Sequence, residues 1–401
     1  MKKWLRRTAL VLLLLGATLA VGSYAYLQHP KFGALPEGES LRAIEISPNY
    51  VDGEFRNLID TPIRTGESRG FVGIVMSMLF DRNPRLNPDT ALPSVRRDLK
   101  ALDPAQDVVV WLGHSSYFVQ VAGHRILIDP VFSTEAAPAP YLNTAFAGTT
   151  PYTADDFPDI DYLLITHDHW DHLDYPSIVT LRGRVRHVVT GLGVGDYFRR
   201  WGYPVERIHE ADWNSVLELA SDLRIHVLPA RHYSGRMFTR NKTLWVAFAV
   251  ETSQRKLYFS GDSGYGPHFR EIGERLGGFD LVALDMGQYD SRWANVHMTP
   301  EQAAQAALDL GTQILLPGHS GRFSLAAHDW DEPFERIVKA SEGQPYRLVV
   351  PLIGEVIRLD DEFQGFSHWW VSGSDRLTTC VENAPWSPAL RVASVPELHW
   401  P

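Results

Sequence analysis

A single cysteine, Cys380, stands in a chain of 401 residues, and that scarcity removes two kinds of chemistry. No intrachain disulfide can form and no multi-thiolate metal site can be built, so metal ligands must be mainly histidine and carboxylate. No His or Asp motif surrounds the thiol, which reads as inert. An excess of positive charge is also missing. Lys and Arg number 38 against 48 Asp and Glu, a formal net charge of −10, which disfavours a nucleic-acid binder that works by neutralising phosphates. A small phosphate-containing substrate stays open, because bound metal ions can dominate a local field. Internal repeats and low-complexity segments are absent. Hydrophobic residues make up 44% of the chain, enough to bury one large core or two.

Long apolar runs are scarce as well, and the principal one follows four cations, Lys2, Lys3, Arg6 and Arg7. It extends from Ala9 to Tyr26 with four leucines at its centre and reads as a membrane-targeting segment, residues 1–27. It is close to the ~20 residues needed to span a bilayer and longer than the ~7–15 of a signal-peptide core, which favours an uncleaved anchor. The small-x-small pattern Ser23-Tyr24-Ala25 keeps a cleavable signal open. No cysteine ends the run, which excludes a lipoprotein. Positive-inside logic puts the N-terminus in the cytoplasm and the rest of the chain on the non-cytoplasmic side, or exported if the leader is cleaved.

Residues 28–106, rich in Pro, Gly, Arg and Asp, read as an N-terminal arm that packs on the main domain, with one apolar patch from Phe71 to Phe80. From Asp107 the texture changes to short β-type runs: Val108–Trp111, Tyr117–Val121, Arg125–Ile128 and Tyr162–Ile165. Gly191 to Gly195 reads as a loop, with Asp196 as cap of a short helix through Trp201. Further strands are expected at Val216–Leu219, Arg224–Leu228, Trp245–Val250, Leu257–Ser260 and Leu281–Leu284, where alternation indicates a half-buried sheet. Thr299-Pro300 opens a helix that Gly311 stops. A strand at Gln313–Leu316, a helix at Pro333–Ala340 and a strand at Arg347–Val350 complete a main domain of residues 107–362. The tail, 363–401, holds Trp369, Trp370, Trp386 and Trp400 without clear periodicity.

The densest chemistry lies in Thr166 to Asp174, where three imidazoles and three carboxylates fall within nine residues directly after an apolar strand. In His167-x-His169-x-Asp171-His172 two histidines can point to one side and an Asp-His pair to another, so one short loop could grip two adjacent metal ions. Such a site needs more ligands, each best aimed from a strand end. His232 follows Arg224–Leu228, Asp262 follows Leu257–Ser260 between Gly261 and Gly264, and His319 follows Gln313–Leu316.

These motifs resemble the metallo-β-lactamase superfamily. Trp111-Leu-Gly-His-Ser-Ser116, Asp129-Pro-Val-Phe-Ser133, Pro229-Ala-Arg-His-Tyr233 and Tyr289-Asp-Ser-Arg-Trp293 are similar to the branch containing N-acylphosphatidylethanolamine-hydrolysing phospholipase D. The resemblance spans roughly residues 50 to 360. It implies an α/β fold, an αββα sandwich with a two-zinc site at one edge of the sheets. It also implies the ligand sets: His167, His169 and His232 on the first Zn2+, Asp171, His172 and His319 on the second, and Asp262 bridging. Two departures sit beside ligands. His319-Ser-Gly-Arg-Phe323 replaces the branch's His-Trp-Gly-Thr-Phe, and Arg231 stands where Gln is usual.

The implied activity is a zinc-dependent, membrane-associated phosphodiesterase of phospholipase D type that uses a metal-bridging hydroxide on a small-molecule or lipid substrate. Asp171, Asp262 and His297 are the expected catalytic residues: Asp171 would orient the hydroxide, and His297 would contact substrate or protonate the leaving group. His114 reads as a supporting or turn residue, and Asp129 and Asp174 as hydrogen-bonding supports for ligands. Two other readings share these residues: a lactonase or other carbonyl hydrolase on the same metal pair, and a non-enzymatic, membrane-tethered zinc-binding envelope protein. Nothing in the sequence sets an oligomeric state.

Overall fold

The computed structural model describes residues 2–66, 83–236 and 239–371. The apolar patch Phe71–Phe80, Cys380, Trp386 and Trp400 lie outside the described residues. Helix α1 (Lys2–Leu27) is long and apolar enough to cross a membrane by length and composition, and none of its apolar window is buried. A short helix α2 (Gly38–Ile46) and a small hairpin, β1 (Tyr50–Val51) with β2 (Glu54–Phe55), follow. Ile44 and Phe55 are completely buried in the main core.

The first large sheet is built from β3 (Val108–Trp111), β4 (Tyr117–Val121), β5 (His124–Ile128), β6 (Ile160–Ile165), β7 (Val185–Gly191) and β8 (Ile208–Ala211). Helices α3 (Tyr175–Leu181) and α4 (Gly195–Arg200) pack on its outer face. The second sheet contains β9 (Ser215–Ala220), β10 (Leu223–Leu228), β11 (Ala247–Thr252), β12 (Lys256–Phe259), β13 (Phe279–Asp285), β14 (Thr312–Gly318) and β15 (Arg347–Leu348). Its outer face is covered by α5 (His268–Leu276), α6 (Pro300–Leu310) and α7 (Glu332–Ala340). A last strand, β16 (Val356–Arg358), returns to the first sheet beside β3. The strand orders are β16-β3-β4-β5-β6-β7-β8 and β15-β14-β13-β12-β11-β10-β9, which makes the fold the αββα sandwich.

Strands of the first sheet are apolar on both faces because both faces are covered. Val109, Trp111, Val119, Ile126 and Leu164 point into the layer between the sheets, while Val110, Phe118, Leu127, Leu163 and Ile165 face α3 and α4. Removing each such Val, Leu or Ile from water contributes about 1.5–3 kcal/mol. The tail contributes too: Trp369 and Trp370 pack on Phe334 with ring centroids 4.9 and 5.3 Å away.

Several boundaries differ from the sequence expectation. Asp196 lies inside the first turn of α4, and Val194 occupies the cap position with no side-chain bond. The strand expected from Trp245 begins at Ala247, because pairing with β10 ends there opposite Leu228 and the Val246 amide donates to the Thr166 carbonyl instead. Strand β15 stops at Leu348, since β14 pairs with it only at Ile314 and Leu315. At Thr299 the expectation and the structure coincide. Its side chain caps α6 while the Gln302 side chain accepts from the Thr299 amide, and Gly311 closes the helix at φ 65°.

Candidate metal centre

Strand direction explains why distant residues meet. In the first sheet β5, β6 and β7 run parallel, and β3, two antiparallel steps from β5, points the same way. In the second, β12, β13 and β14 run parallel and β10 shares their direction. The loops leaving the carboxyl ends of β3, β5, β6, β10, β12, β13 and β14 carry His114, Asp129, the 167–172 cluster, His232, Asp262, Asp285 and His319. Three of these, His114, Asp129 and His319, hold left-handed backbone at φ 54°, 42° and 56°, the kind of strain that persists where surrounding contacts enforce it. Gly261 allows a close approach: a Cβ there would lie 2.7 Å from that of Thr166.

The side chains collect in overlapping groups. His167, His169, His232 and Asp262 form one, and His114, Asp171, His172 and His319 a second. Asp262, His297 and His319 form a third. Asp262 stands between the first two. Its Oδ1 is 3.0 Å from His172 Nε2 and 3.0 Å from His319 Nδ1, while Oδ2 is 3.7 Å from His167 Nε2 and 3.6 Å from His232 Nε2.

The outer partners decide which ring nitrogens face inward. Thr166 Oγ1 donates to Asp129 Oδ2 at 2.5 Å, so it accepts from His167 Nδ1 at 3.0 Å. His172 Nδ1 donates to Asp129 Oδ2 at 2.8 Å, and His232 Nδ1 to the Val296 carbonyl at 2.9 Å. In the neutral form of each ring, this assignment leaves an unprotonated Nε2 toward the site. His169 Nδ1 lies 2.9 Å from His167 Nε2 and 3.2 Å from His232 Nε2, so three ring nitrogens converge where at most one proton can be shared. His172 Nε2 and Asp262 Oδ1 are buried without a well-formed hydrogen bond. Converging lone pairs and a carboxylate need a cation at their focus, and imidazoles oriented by outer acceptors are how metal ligands are held. The residues therefore fit a metal.

Electrostatics carry the same signature. Burial drives the His167 and His232 imidazoles well below their ordinary pKa, which keeps them neutral and able to ligate. Burial also opposes a charged His172, yet the Asp262 and Asp171 carboxylates override it and raise its pKa well above the ordinary value. Asp262, though buried, is held well below the carboxylate range by His172 and His319. The deep burial of His114, with His319 beside it, takes its imidazole down to about 3.

The remaining expected residues fall into place around this centre. His114 Nε2 bonds to Asp171 Oδ2 at 2.8 Å, and its ring brings a nitrogen into the second group. Asp129 supports Thr166 and His172. Asp174 does not reach a ligand; it accepts from Ser133 and Ser177 and fixes the start of α3. Asp168 accepts from Tyr197, Thr243 and the Gly235 amide, anchoring the loop from behind. His297 joins the site through Asp285, whose Oδ2 is 2.8 Å from Nδ1. Burial lowers the His297 pKa, but Asp285 more than offsets it, and the net shift is upward. Sequence reasoning missed Asp285, Ser115 and Asn57. Ser115 Oγ lies 3.0 Å from His319 Nδ1, and the Asn57 amide brackets the His232 backbone. Asp285 carried the same strand-end signal as Asp262; Asn57 carried none.

Comparison with known proteins agrees with this geometry. Residues 124–320 match the Beta-lactamase superfamily domain. An uncharacterized protein of Mycobacterium tuberculosis is 37% identical over 362 residues, covering 88% of this chain and 96% of its own length. The N-acyl-phosphatidylethanolamine-hydrolyzing phospholipase D 1 of Caenorhabditis elegans is 32% identical over 213 residues, covering 49% of this chain and 58% of the worm protein. The isothiocyanate hydrolase from Delia radicum gut bacteria shares the fold at a TM-score of 0.50 and 16% identity, covering 63% of this chain and 98% of that structure. The chain belongs to the metallo-β-lactamase superfamily of metal-dependent hydrolases, and within it resembles the N-acylphosphatidylethanolamine-hydrolysing phospholipase D branch.

Proposed function

We propose that this protein is a membrane-anchored, dinuclear zinc phosphodiesterase that hydrolyses the headgroup phosphodiester of a phospholipid, with its catalytic domain on the non-cytoplasmic side. One observation carries the reading: Asp262 presents one carboxylate oxygen to His172 and His319 and the other to His167 and His232. That arrangement suits His167, His169 and His232 for one ion, Asp171, His172 and His319 for a second, and Asp262 for both. An all-nitrogen-and-oxygen set rich in imidazole suits Zn2+. Bound there, the metals would lower the pKa of a shared water and neutralise charge on the phosphoryl oxygens.

The chain's own groups supply the rest. Asp171, fixed through His114 at 2.8 Å, orients the attacking water. His297, held by Asp285, faces the shared centre beside His319, with stacked rings 5.0 Å apart, and hands its proton to the departing alcohol oxygen. Attack at phosphorus breaks the P–O bond to the headgroup alcohol and leaves phosphatidic acid. The named activity of the worm relative and the membrane-length helix α1 support a lipid phosphodiester over other substrates.

The test is metal analysis and turnover on purified full-length protein in mixed micelles. About two zinc ions per chain and release of phosphatidic acid are expected. Cleavage of lactones with no phosphodiester turnover would move the assignment to a carbonyl hydrolase, and loss of neither activity nor metal in Asp262→Asn would refute the proposed bridge.

A further inference from the structure

Two segments tie the end of α1 to the metal loop. On one side, the Trp201 indole donates to the Pro30 carbonyl at 2.8 Å, and Arg236 donates to the Lys31 carbonyl at 3.0 Å. The same buried guanidinium holds the carbonyls of Asp168 and Leu173 at 2.9 and 2.8 Å and lies 3.6 Å over the Trp170 ring. Phe32 meets Trp170 edge-on at 5.5 Å. The residues immediately after α1 are thus bonded to the loop that carries His167, His169 and His172.

On the other side, Tyr26 at the end of α1 and Lys31 both donate to the Pro138 carbonyl. Pro138 belongs to an excursion closed by Ala145 N to Thr134 O at 2.7 Å and Ala136 N to Asn143 O at 3.0 Å. At its tip Tyr141 is 89% exposed and Leu142 54%, and Tyr141 is held at φ 64°. No acidic or basic residue occurs from Ala136 through Ala154. The base of the excursion is pinned to the site by Arg322, which donates to the carbonyls of Val131 and Ser133 at 2.5 and 3.1 Å. The next residue, Phe323, meets the His114 ring edge-on at 5.2 Å. This gives the Arg322 departure a role: a buried cation that fastens one loop to the metal centre.

An uncharged loop that displays Tyr and Leu to solvent is unfavourable in water and favourable at a lipid interface, where aromatic residues gather at headgroup level. Tyr141 lies three residues beyond Pro138, so it is within about 11 Å of the Tyr26 contact. Continuity with α1 identifies the occupant as the bilayer that α1 enters. We infer that the Pro138–Asn143 loop is a second membrane contact, whose Tyr141–Leu142 tip enters the bilayer surface beside the end of α1 and holds the metal centre at a set distance from the lipid headgroups. The contact rests on the membrane-anchored reading of α1 above, and its value for catalysis on the lipid-substrate reading as well.

The experiment uses the full chain in a Cys380→Ser background, reconstituted into phosphatidylcholine–phosphatidylglycerol vesicles. An environment-sensitive fluorophore is attached at Leu142→Cys or, as reference, at Val216→Cys on the exposed side of β9. Expected at position 142 are a blue-shifted emission and quenching by shallow spin-labelled lipid at least threefold greater than at position 216. Equal emission and quenching at the two positions would overturn the proposal. The double variant Tyr141→Ser, Leu142→Ser should lose about tenfold of turnover on vesicle lipid and keep turnover of a water-soluble phosphodiester; an equal loss on both substrates counts against the contact. Because the fluorescence needs no turnover, an inserted tip without lipid hydrolysis retires the substrate reading and leaves the membrane contact standing.

Discussion

At the scale of single residues, the site is a set of imidazoles whose usable nitrogen is chosen by the atom behind it. His297, like His172, has a carboxylate as its outer partner, but it lies outside the two groups of four that Asp262 joins. Asp285 sits 2.8 Å from Nδ1 and favours the protonated ring, which suits a proton donor. His297→Ala is therefore expected to lower kcat about 10²–10⁴-fold with zinc content unchanged by elemental analysis. Asp285→Asn should cost about tenfold through misorientation of the same ring. Loss of zinc in His297→Ala would instead make it a ligand. The four candidate ligands of the cluster were legible in the sequence because they are adjacent. His232, Asp262 and His319 were legible because each follows an apolar strand. The partnership of His297 with Asp285 was not, since twelve residues and a short 3-10 turn at Ser291–Trp293 separate them.

At the scale of elements, local rules account for α6 better than for any other helix. Thr299 Oγ1 accepts from the Gln302 amide at 3.3 Å and Gln302 Oε1 from the Thr299 amide at 3.0 Å. Thr299→Ala should cost about 1 kcal/mol, read as a lower denaturant midpoint with unchanged slope. A similar box closes the 3-10 turn Ala154–Asp156, where Asp156 accepts from Thr153 and from Arg96. Burial raises the Asp156 pKa, but these bonds outweigh it and hold it below its ordinary value. A carboxylate whose folded pKa is depressed contributes stability that is present above its unfolded pKa and lost as pH falls through the folded value. Asp156→Asn should then lower Tm at pH 7, and the gap from the parent protein should narrow as pH falls below the ordinary Asp value of about 3.9; a gap independent of pH in thermal melts would refute the assignment.

At the scale of the whole molecule, the centre joins loops from both sheets, so its occupancy should couple to global stability. Any ion that binds only the folded chain adds about 2.7 kcal/mol at a hundred times its dissociation constant. Chelation of the full-length protein is expected to abolish turnover and lower Tm together, and Zn2+ should restore both where Mg2+ restores neither, because imidazole-rich sites disfavour the harder ion. Recovery with Mg2+ in calorimetry and turnover would refute the zinc assignment.

The sequence by itself determined the candidate ligand chemistry. One cysteine left histidine and carboxylate as the candidate metal ligands, and the 167–172 spacing placed four of them on one loop. Most strands were legible from their apolar runs, although β7, β8 and β16 were not, nor were helices α2, α3 and α5; β8 and β16 are only four and three residues long and partly buried, too short to show a period. The tertiary structure alone decided what surrounds the candidate metal centre. Only the shared direction of strands in two facing sheets brings Asp262 between His172 and His232. Likewise, only the folding of the chain after α1 sets Phe32 on Trp170 and Tyr26 on Pro138. Ligand identity is a local property of side chains, while distance to a second loop or to a membrane depends on contacts between residues more than a hundred positions apart.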